Sequence, residues 1–372
     1  MPASKCHSSA SIFYSRRQKL LKRLQQERID AILVIDVSNV RYLSGFSGED
    51  SALLVTKRRP ILITDGRYAT QAREEMRGIG LYLRRGSIIA TAAKLVRESG
   101  LGRIGVEAGA MTIAQHEELE RALAGLVGIV PLRGVVEGLR ERKDNTELAA
   151  IMQAIAIAES AFADILPHIQ VGVTERSIAA ALDAAMRRRG ADAAAFETIV
   201  AAGERAALPH ARPTDRRIRE GDCVLIDWGA RRDLYKCDLT RVVFVSRISP
   251  RWERLYQVVL EAQMGALRRI VPGRQGEEVD AAARQVMKSH RCASLFTHAL
   301  GHGVGLNVHE APAIARGQKT RLRTGMVFTV EPGVYVPGEC GIRIEDMVVV
   351  RPGGCRILTR VSKSLKEAVL RR

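Results

Sequence analysis

Cys223-Val224-Leu225-Ile226-Asp227-Trp228-Gly229 is an apolar run of strand length that stops on a carboxylate. A buried charge is costly unless it is paired or metal-bound, so Asp227 needs a partner. A second β-like run, Asp238-Leu239-Thr240-Arg241-Val242-Val243-Phe244, begins on another carboxylate. The midpoint of 227 and 238 falls between Arg232 and Asp233. A hairpin turning there predicts the two carboxylates opposite each other, with Cα atoms about 4.5–5.5 Å apart. Like charges that close repel strongly, and a divalent cation between them would relieve the repulsion.

The same construction recurs near the C-terminus. Glu331 ends Val327-Phe328-Thr329-Val330-Glu331, and Glu345 lies in Gly341-Ile342-Arg343-Ile344-Glu345. Halfway between them, Gly338 sits in the turn sequence Val336-Pro337-Gly338-Glu339. Arg343 and Glu345 share a strand face by the period of two. Four carboxylates on two hairpins suit hard, oxygen-preferring ions, Mn²⁺ first, with Co²⁺ or Zn²⁺ as alternatives.

Histidines complete the pattern. Five of the eight lie between 210 and 309, and three of those, His298, His302 and His309, stand between Thr297 and Pro312. Gly301, Gly303 and Gly305 in that segment would let backbone approach a metal or substrate closely. His298 and His302 are four apart but lack the Glu of H-E-x-x-H, and the glycines argue against a helix. A carboxylate–histidine site with two metals can activate water and polarise a carbonyl, the machinery of amide hydrolysis. The remaining histidines can stabilise an intermediate or move protons. Each residue alone has a plainer reading: an Asp at a strand end caps a turn, and a Glu near Arg343 is half an ion pair. His7, His116, His168 and His290 take that plainer reading, as structural or exposed groups.

Outward from these motifs, 372 residues suggest two domains. Short apolar runs at 31–35, 52–56, 61–64, 81–83 and 104–106 alternate with helical stretches at 15–28, 71–77, 90–98 and 113–126. That alternation marks an α/β domain. The charged segment 139–145 breaks the pattern, and Asn145 or Thr146 can cap the helix that follows. Helices over 147–166 and 174–189, then strands, then helices over 252–270 and 277–290, then strands again, hint at two similar halves. The expected boundaries are 11–137, a linker at 138–145, and 146–372.

The net charge of +17 raises a nucleic-acid or anionic-membrane partner. The excess is spread along the chain, apart from a basic C-terminal end. It is +9 over residues 1–100, −4 over 101–200, +6 over 201–300 and +6 over 301–372, and 47 of the 58 basic residues are Arg. This fits a compositional habit better than a binding tail. No C-x-x-C pair occurs among Cys6, Cys223, Cys237, Cys292, Cys340 and Cys355, so the cysteines are expected to be reduced and mostly buried. No apolar run approaches the ~18 residues of a membrane helix. The polar start does not read as a secretion signal, which leaves the cytoplasm as the default.

These motifs resemble the pita-bread metallopeptidases, the family of methionine aminopeptidase, aminopeptidase P, prolidase and creatinase. The segments that carry the resemblance are Leu208-Pro209-His210-Ala211-Arg212-Pro213, Ile226-Asp227-Trp228-Gly229, Cys237-Asp238-Leu239-Thr240-Arg241, Gly301-His302-Gly303-Val304-Gly305 with Val308-His309-Glu310, Val330-Glu331-Pro332-Gly333 and Gly341 to Asp346. Val40 to Phe46 and Thr64-Asp65-Gly66-Arg67-Tyr68 are similar to the creatinase/prolidase-type N-terminal domain, which methionine aminopeptidases lack.

The resemblance implies an α+β chain: a pita-bread catalytic domain preceded by a smaller α/β domain. It implies two divalent metal ions, with Asp227 on one, Asp238 and Glu345 bridging, and His302 and Glu331 on the second. Glu331 would assist proton transfer. His210, His298 and His309 would bind substrate and stabilise the intermediate, and Arg343 would orient Glu345 or Asp238. The intact ligand set separates this chain from creatinase and from non-catalytic relatives. The implied activity is release of an N-terminal residue ahead of proline, as in aminopeptidase P, by a homodimer. The alternatives are prolidase action on Xaa-Pro dipeptides and, more distantly, a non-catalytic module binding nucleic acid or protein. Many relatives have Ser where Cys237 stands and Gly-Tyr where Leu234-Tyr235 stands. Cys237 is expected mainly to add oxidation sensitivity.

Overall fold

The structure is a computed structural model that describes residues 5–371, with side chains from Ser11 onward. The side chains of Cys6 and His7 lie outside the described residues. The chain divides into two compact units between Arg140 and Glu141.

The first unit is a six-stranded mixed sheet in the order Gly80–Leu83, Ile61–Thr64, Ser51–Thr56, Ala31–Val34, Arg103–Glu107 and Gly128–Leu132. The hairpin expected around Lys57–Pro60 forms, with Leu54 opposite Ile61. Ala31–Val34 is buried along its whole length, which explains its unbroken apolar run. The helices Ile88–Glu98 and Ile113–Leu123 pack their apolar residues against the sheet. Two elements carry little periodic signal. Helix Val37–Ser44 is short, capped by Asp36 and ended by Gly45 at φ 80°. Strand Gly128–Leu132 contains Pro131, which belongs at a sheet edge, and there it lies.

Glu107 ends its strand buried, accepting from the backbone N–H of Ile35 (2.6 Å) and Asp36 (2.8 Å) and from Asn39 (2.6 Å). Burial outweighs those donors and pushes its carboxyl up to about 7. A carboxyl raised on folding holds its proton more tightly in the folded chain. Its stabilisation is therefore complete below the unfolded value near 4.5 and lost as the pH rises to about 7. The loss over that window is about 3 kcal/mol. Amide-exchange protection of Ala31–Val34 and Arg103–Glu107 is expected to fall between pH 5 and 8, and Glu107→Gln to flatten the change. An equal pH dependence in the variant would assign the effect to other groups.

In the second unit two sheets lie between two helix pairs. The four-stranded sheet runs Val369–Leu370, Leu239–Val245, Cys223–Trp228, Ile199–Ala202, and the five-stranded sheet runs Glu310–Ile314, Gly301–Gly303, Val327–Val330, Asp346–Arg351, Gly354–Ile357. Val224, Ile226 and Trp228 pack with Val327 and Val349 on helices Asn145–Ile165 and Glu175–Arg188. The alternate residues Cys223 and Leu225 pack with Phe328 and Val348 on helices Pro250–Leu267 and Gly276–Ser289. Strands covered on both faces read as continuous apolar runs, and the chain shows them as such.

Three expectations are corrected here. The cap of helix Asn145–Ile165 is Asp144, not Asn145 or Thr146: its carboxylate accepts from the Thr146 and Glu147 N–H groups, both at 3.0 Å, and Glu147 completes a capping box. This helix, extended to His168, also holds an 18-residue stretch of mean hydropathy 1.5, long and apolar enough by length and composition alone to cross a membrane. Ile151, Ala154, Ile155, Ala158, Ala161 and Ile165 are spent on the helix pair and sheet. Finally, Cys223 and Cys340 form a disulfide, with Cα atoms 6.7 Å apart across 117 residues of chain. Strands Cys223–Trp228 and Cys340–Arg343 pack together, a proximity that local spacing does not reveal. Cys237 and Cys292 are buried free thiols. Burial pushes the Cys237 thiol far up, which disfavours the thiolate through which oxidation proceeds.

Candidate metal centre

The first hairpin differs in register from the expected one. Asp227 stands opposite Thr240 and Trp228 opposite Leu239. The chain turns at Asp233 and Leu234, both at positive φ (46° and 68°), as two-residue hairpin loops require. Leu234 takes the left-handed conformation at a cost of about 1 kcal/mol. The pairing shift is two residues, so parity is kept. Asp227 and Asp238 still face one side, placed diagonally instead of directly opposite.

The second hairpin turns at Gly338 (φ 74°), as expected. Gly333 pairs with Arg343 in a two-stranded ribbon, and Val330 pairs with Asp346 in the five-stranded sheet. Both pairs keep one register, yet they belong to different sheets. The run 341–350 is therefore two strands, not one. Glu331 and Glu345 occupy the break. Freed from the ladder, the Glu345 N–H donates to the Thr240 carbonyl (3.2 Å) and the Glu331 N–H to that of Leu300 (2.8 Å). The break is what brings the second pair of carboxylates to the first hairpin.

Ligand atoms of Asp238, His302 and Glu345 lie within 4.8 Å of one another. His302 Nε2 is 3.2 Å from Glu331 Oε1 and 3.6 Å from Asp238 Oδ2. Its Nδ1 donates to the Gly303 carbonyl at 3.2 Å, and despite burial the carboxylates facing Nε2 raise the ring's pKa; a bound cation would take the place of the Nε2 proton. Asp227 Oδ1 and Glu345 Oε1 are buried and accept no hydrogen bond from the described residues. Burial and the neighbouring carboxylates push Asp238 and Glu345 well above the usual range. Glu331, despite burial, is held at about 2 by His302. Orphaned oxygens, an imidazole nitrogen set among carboxylates and unrelieved repulsion fit divalent cations.

The supporting residues are only partly those expected. Arg343 donates to Asp227 Oδ2 (2.5 Å), to Thr240 Oγ1 (3.0 Å) and to the Tyr335 hydroxyl (2.9 Å). Thr240 in turn donates to Glu345 Oε2 at 2.5 Å. Arg343 thus holds Asp227 directly and reaches Glu345 only through Thr240. His298 has both ring nitrogens occupied: Nδ1 at 2.7 Å from the Ala299 carbonyl and Nε2 at 2.9 Å from the Tyr335 hydroxyl. Nδ1 must donate to a carbonyl, so Nε2 accepts from Tyr335. Burial lowers the His298 pKa, consistent with the neutral ring. Thr240 had a signal in the chain, its two-residue spacing from Asp238; Tyr335 did not.

His210 and His309 are exposed and line a cleft of about 630 Å³ with Asp227, Asp238, Glu331 and Glu345. The ring centroids of His309 and His302 are 4.1 Å apart. Lys143 and Glu310, side chains 1% and 6% exposed, form an ion pair of 2.7 Å beside His309. The expected role of the glycines changes. A Cβ on Gly301 would strike the Thr329 carbonyl, and one on Gly305 the Glu310 carboxylate. They admit neighbouring chain, not a metal. The strap carrying His210 hangs on fully buried Glu175, which accepts from Ala202 N (2.8 Å), Arg205 Nε (3.0 Å), Thr214 N (2.9 Å) and Thr214 Oγ1 (2.7 Å). Local sequence marks Glu175 only as a first-turn acid behind the Thr174 cap.

A cleft that gathers five carboxylates and four imidazoles belongs to the class of metal-dependent hydrolases. The family model described as Metallopeptidase family M24 matches residues 149–352, and that of the Creatinase/Prolidase N-terminal domain matches residues 16–142. The chain belongs to the M24 metallopeptidases, a family of divalent-metal peptidases with the pita-bread fold. It is 33% identical to a Xaa-Pro dipeptidase of Pyrococcus horikoshii, over 95% of this chain and 99% of that one. Among solved structures, the Xaa-Pro dipeptidase from Bacillus anthracis superposes with a TM-score of 0.92 at 35% identity, covering 96% of this chain and 100% of that one. The X-Pro aminopeptidase from Thermotoga maritima gives 0.88 at 36%, covering 95% and 99%.

Proposed function

We propose that this chain is a dinuclear-metal Xaa-Pro dipeptidase. The observation that carries the reading is the convergence of Asp227, Asp238, His302, Glu331 and Glu345 on one cleft with buried oxygens left over. The names of its relatives favour a dipeptide over the longer peptides first expected. Aminopeptidase P action is the second reading, favoured by the likeness to the Thermotoga maritima enzyme.

The five residues would hold two ions, Mn²⁺ preferred for an oxygen-rich set. When bound, such ions supply Lewis acidity toward the carbonyl and toward water. The chain's own groups do the rest. Glu331, ionised and facing the cleft, takes the proton of the attacking water. His309, whose pKa is lowered by partial desolvation against the cleft wall and by the neighbouring His302, donates to the carbonyl oxygen as charge develops. His210 at the rim contacts substrate. His298 acts through Tyr335, whose hydroxyl orients Arg343 and, through it, Asp227. We also place the domain boundaries at 11–137 and 146–372 with a linker between them, and expect a cytoplasmic homodimer with peptide substrates and no nucleic acid.

The test is hydrolysis of Xaa-Pro dipeptides and Xaa-Pro-Yaa tripeptides by protein of measured metal content. Mn²⁺-loaded protein with about two equivalents should cleave dipeptides, lose activity to a chelator and regain it with Mn²⁺. Cleavage of tripeptides alone selects the aminopeptidase reading. No cleavage of either overturns both.

A further inference from the structure

We propose that Arg212 reads the free C-terminal carboxylate of the substrate and that Glu197 holds its guanidinium when no substrate is present. The inference rests on the peptidase reading above and deepens it.

Arg212 and Glu197 both line the cleft. The acidic groups around it repel a carboxylate, so a peptide with a free C-terminus needs a cation to enter. Arg343 also lines the cleft, but its donors are spent on Asp227, Thr240, Tyr335 and the Pro209 carbonyl. The Arg212 side chain is 83% exposed, and its one ion pair among the described residues, Nε to Glu197 Oε2, is long at 3.4 Å. An exposed pair of that length exchanges readily for a better partner.

The backbone beneath it is fixed. The Arg212 carbonyl accepts from Arg205 Nη2 at 2.6 Å, and Arg205 and Thr214 are both tied to buried Glu175. Pro213 stiffens the next step. A rigid mount under an exposed, loosely paired guanidinium is what recognition of a planar anion needs, since the fork matches a carboxylate through two parallel bonds. An extended chain advances about 3.3–3.6 Å per residue, so a dipeptide carboxylate lies one step beyond the scissile carbonyl. Arg212 follows His210, at the same rim, by two residues.

Steady-state kinetics of the Mn²⁺-loaded enzyme on Ala-Pro and on Ala-Pro-amide test this. Wild type should prefer the acid. Arg212→Gln should raise KM for the acid roughly tenfold or more, the usual scale for losing a charged hydrogen-bond partner. Its kcat should hold, and the preference over the amide should collapse. Arg212→Lys should restore part of it. Glu197→Gln, which frees the guanidinium, should lower KM for the acid. An unchanged acid-to-amide ratio in Arg212→Gln overturns the proposal, as does an equal loss on both substrates, which would mean that Arg212 only supports the His210 strap. If wild type cleaves neither compound nor any Xaa-Pro peptide, the peptidase reading itself has failed.

Discussion

Replacing Asp238 by alanine is expected to empty the metal centre and abolish hydrolysis. Asp238 is buried between His302, whose Nε2 is 3.6 Å away, and Glu345. Changes to outer residues of metal sites already cost about 10–100-fold in affinity or activity. Loss of a carboxylate shared by two ions should exceed that and lower the measured metal content below one equivalent. The sign of the stability change is the opposite. Without metal, Asp238 is one of four acids whose repulsion burial aggravates. The alanine variant should therefore melt higher than wild type when both are stripped by chelator, and lower when both are loaded. Asp238→Asn keeps the shape and should share the activity loss. Retained activity with two equivalents bound would remove Asp238 from the ligand set.

Glu175→Ala should be the most destabilising substitution outside the centre. The carboxylate is fully buried and accepts from two backbone N–H groups, a hydroxyl and a guanidinium. Its loss strands those donors. Breaking a buried charged hub costs about 3–5 kcal/mol, and the lower end applies because the Arg205 side chain is 26% exposed. For a unit of this size that is a fall in Tm of roughly 10 °C. KM should rise too, because the strap bearing His210 and Arg212 loses its anchor. Glu175→Gln, which can still accept from Ala202 and Thr214, should recover part of both. A melting point within about 2 °C of wild type would show that the strap does not depend on Glu175.

Much of the site was legible in the chain. Where an apolar run meets a carboxylate, as at Ile226-Asp227 and Val330-Glu331, the run announces burial and the acid announces a reason for it. The period of two then places Asp238 with Thr240, and Arg343 with Glu345, on common faces. Other residues were silent. Tyr335 sits in an ordinary Val-Tyr-Val strand and becomes functional only because Arg343 and His298 arrive on either side of it. Glu175 reads as a helix-start acid and is instead the hub of a strap beginning 27 residues later. Lys143 lies in a charged break and finds Glu310 across 167 residues. The glycines of 301–305 invited a ligand, whereas the space they leave is filled by Thr329 and Glu310.

Side-chain parity, apolar-to-acidic transitions and turn residues are local properties. The amino-acid sequence by itself therefore determined which side chains face together, that acids end the strands, and which family the chain belongs to. Tertiary structure decided what those acids meet. The two-residue shift at Asp233–Leu234, the strand break at Glu331 and Glu345, the grip of Arg343 on Asp227 and the pairing of Cys223 with Cys340 all join residues through the packing of two sheets between two helix pairs. Each of these contacts depends on how distant segments fill one shared volume, and spacing along a chain carries no measure of that volume.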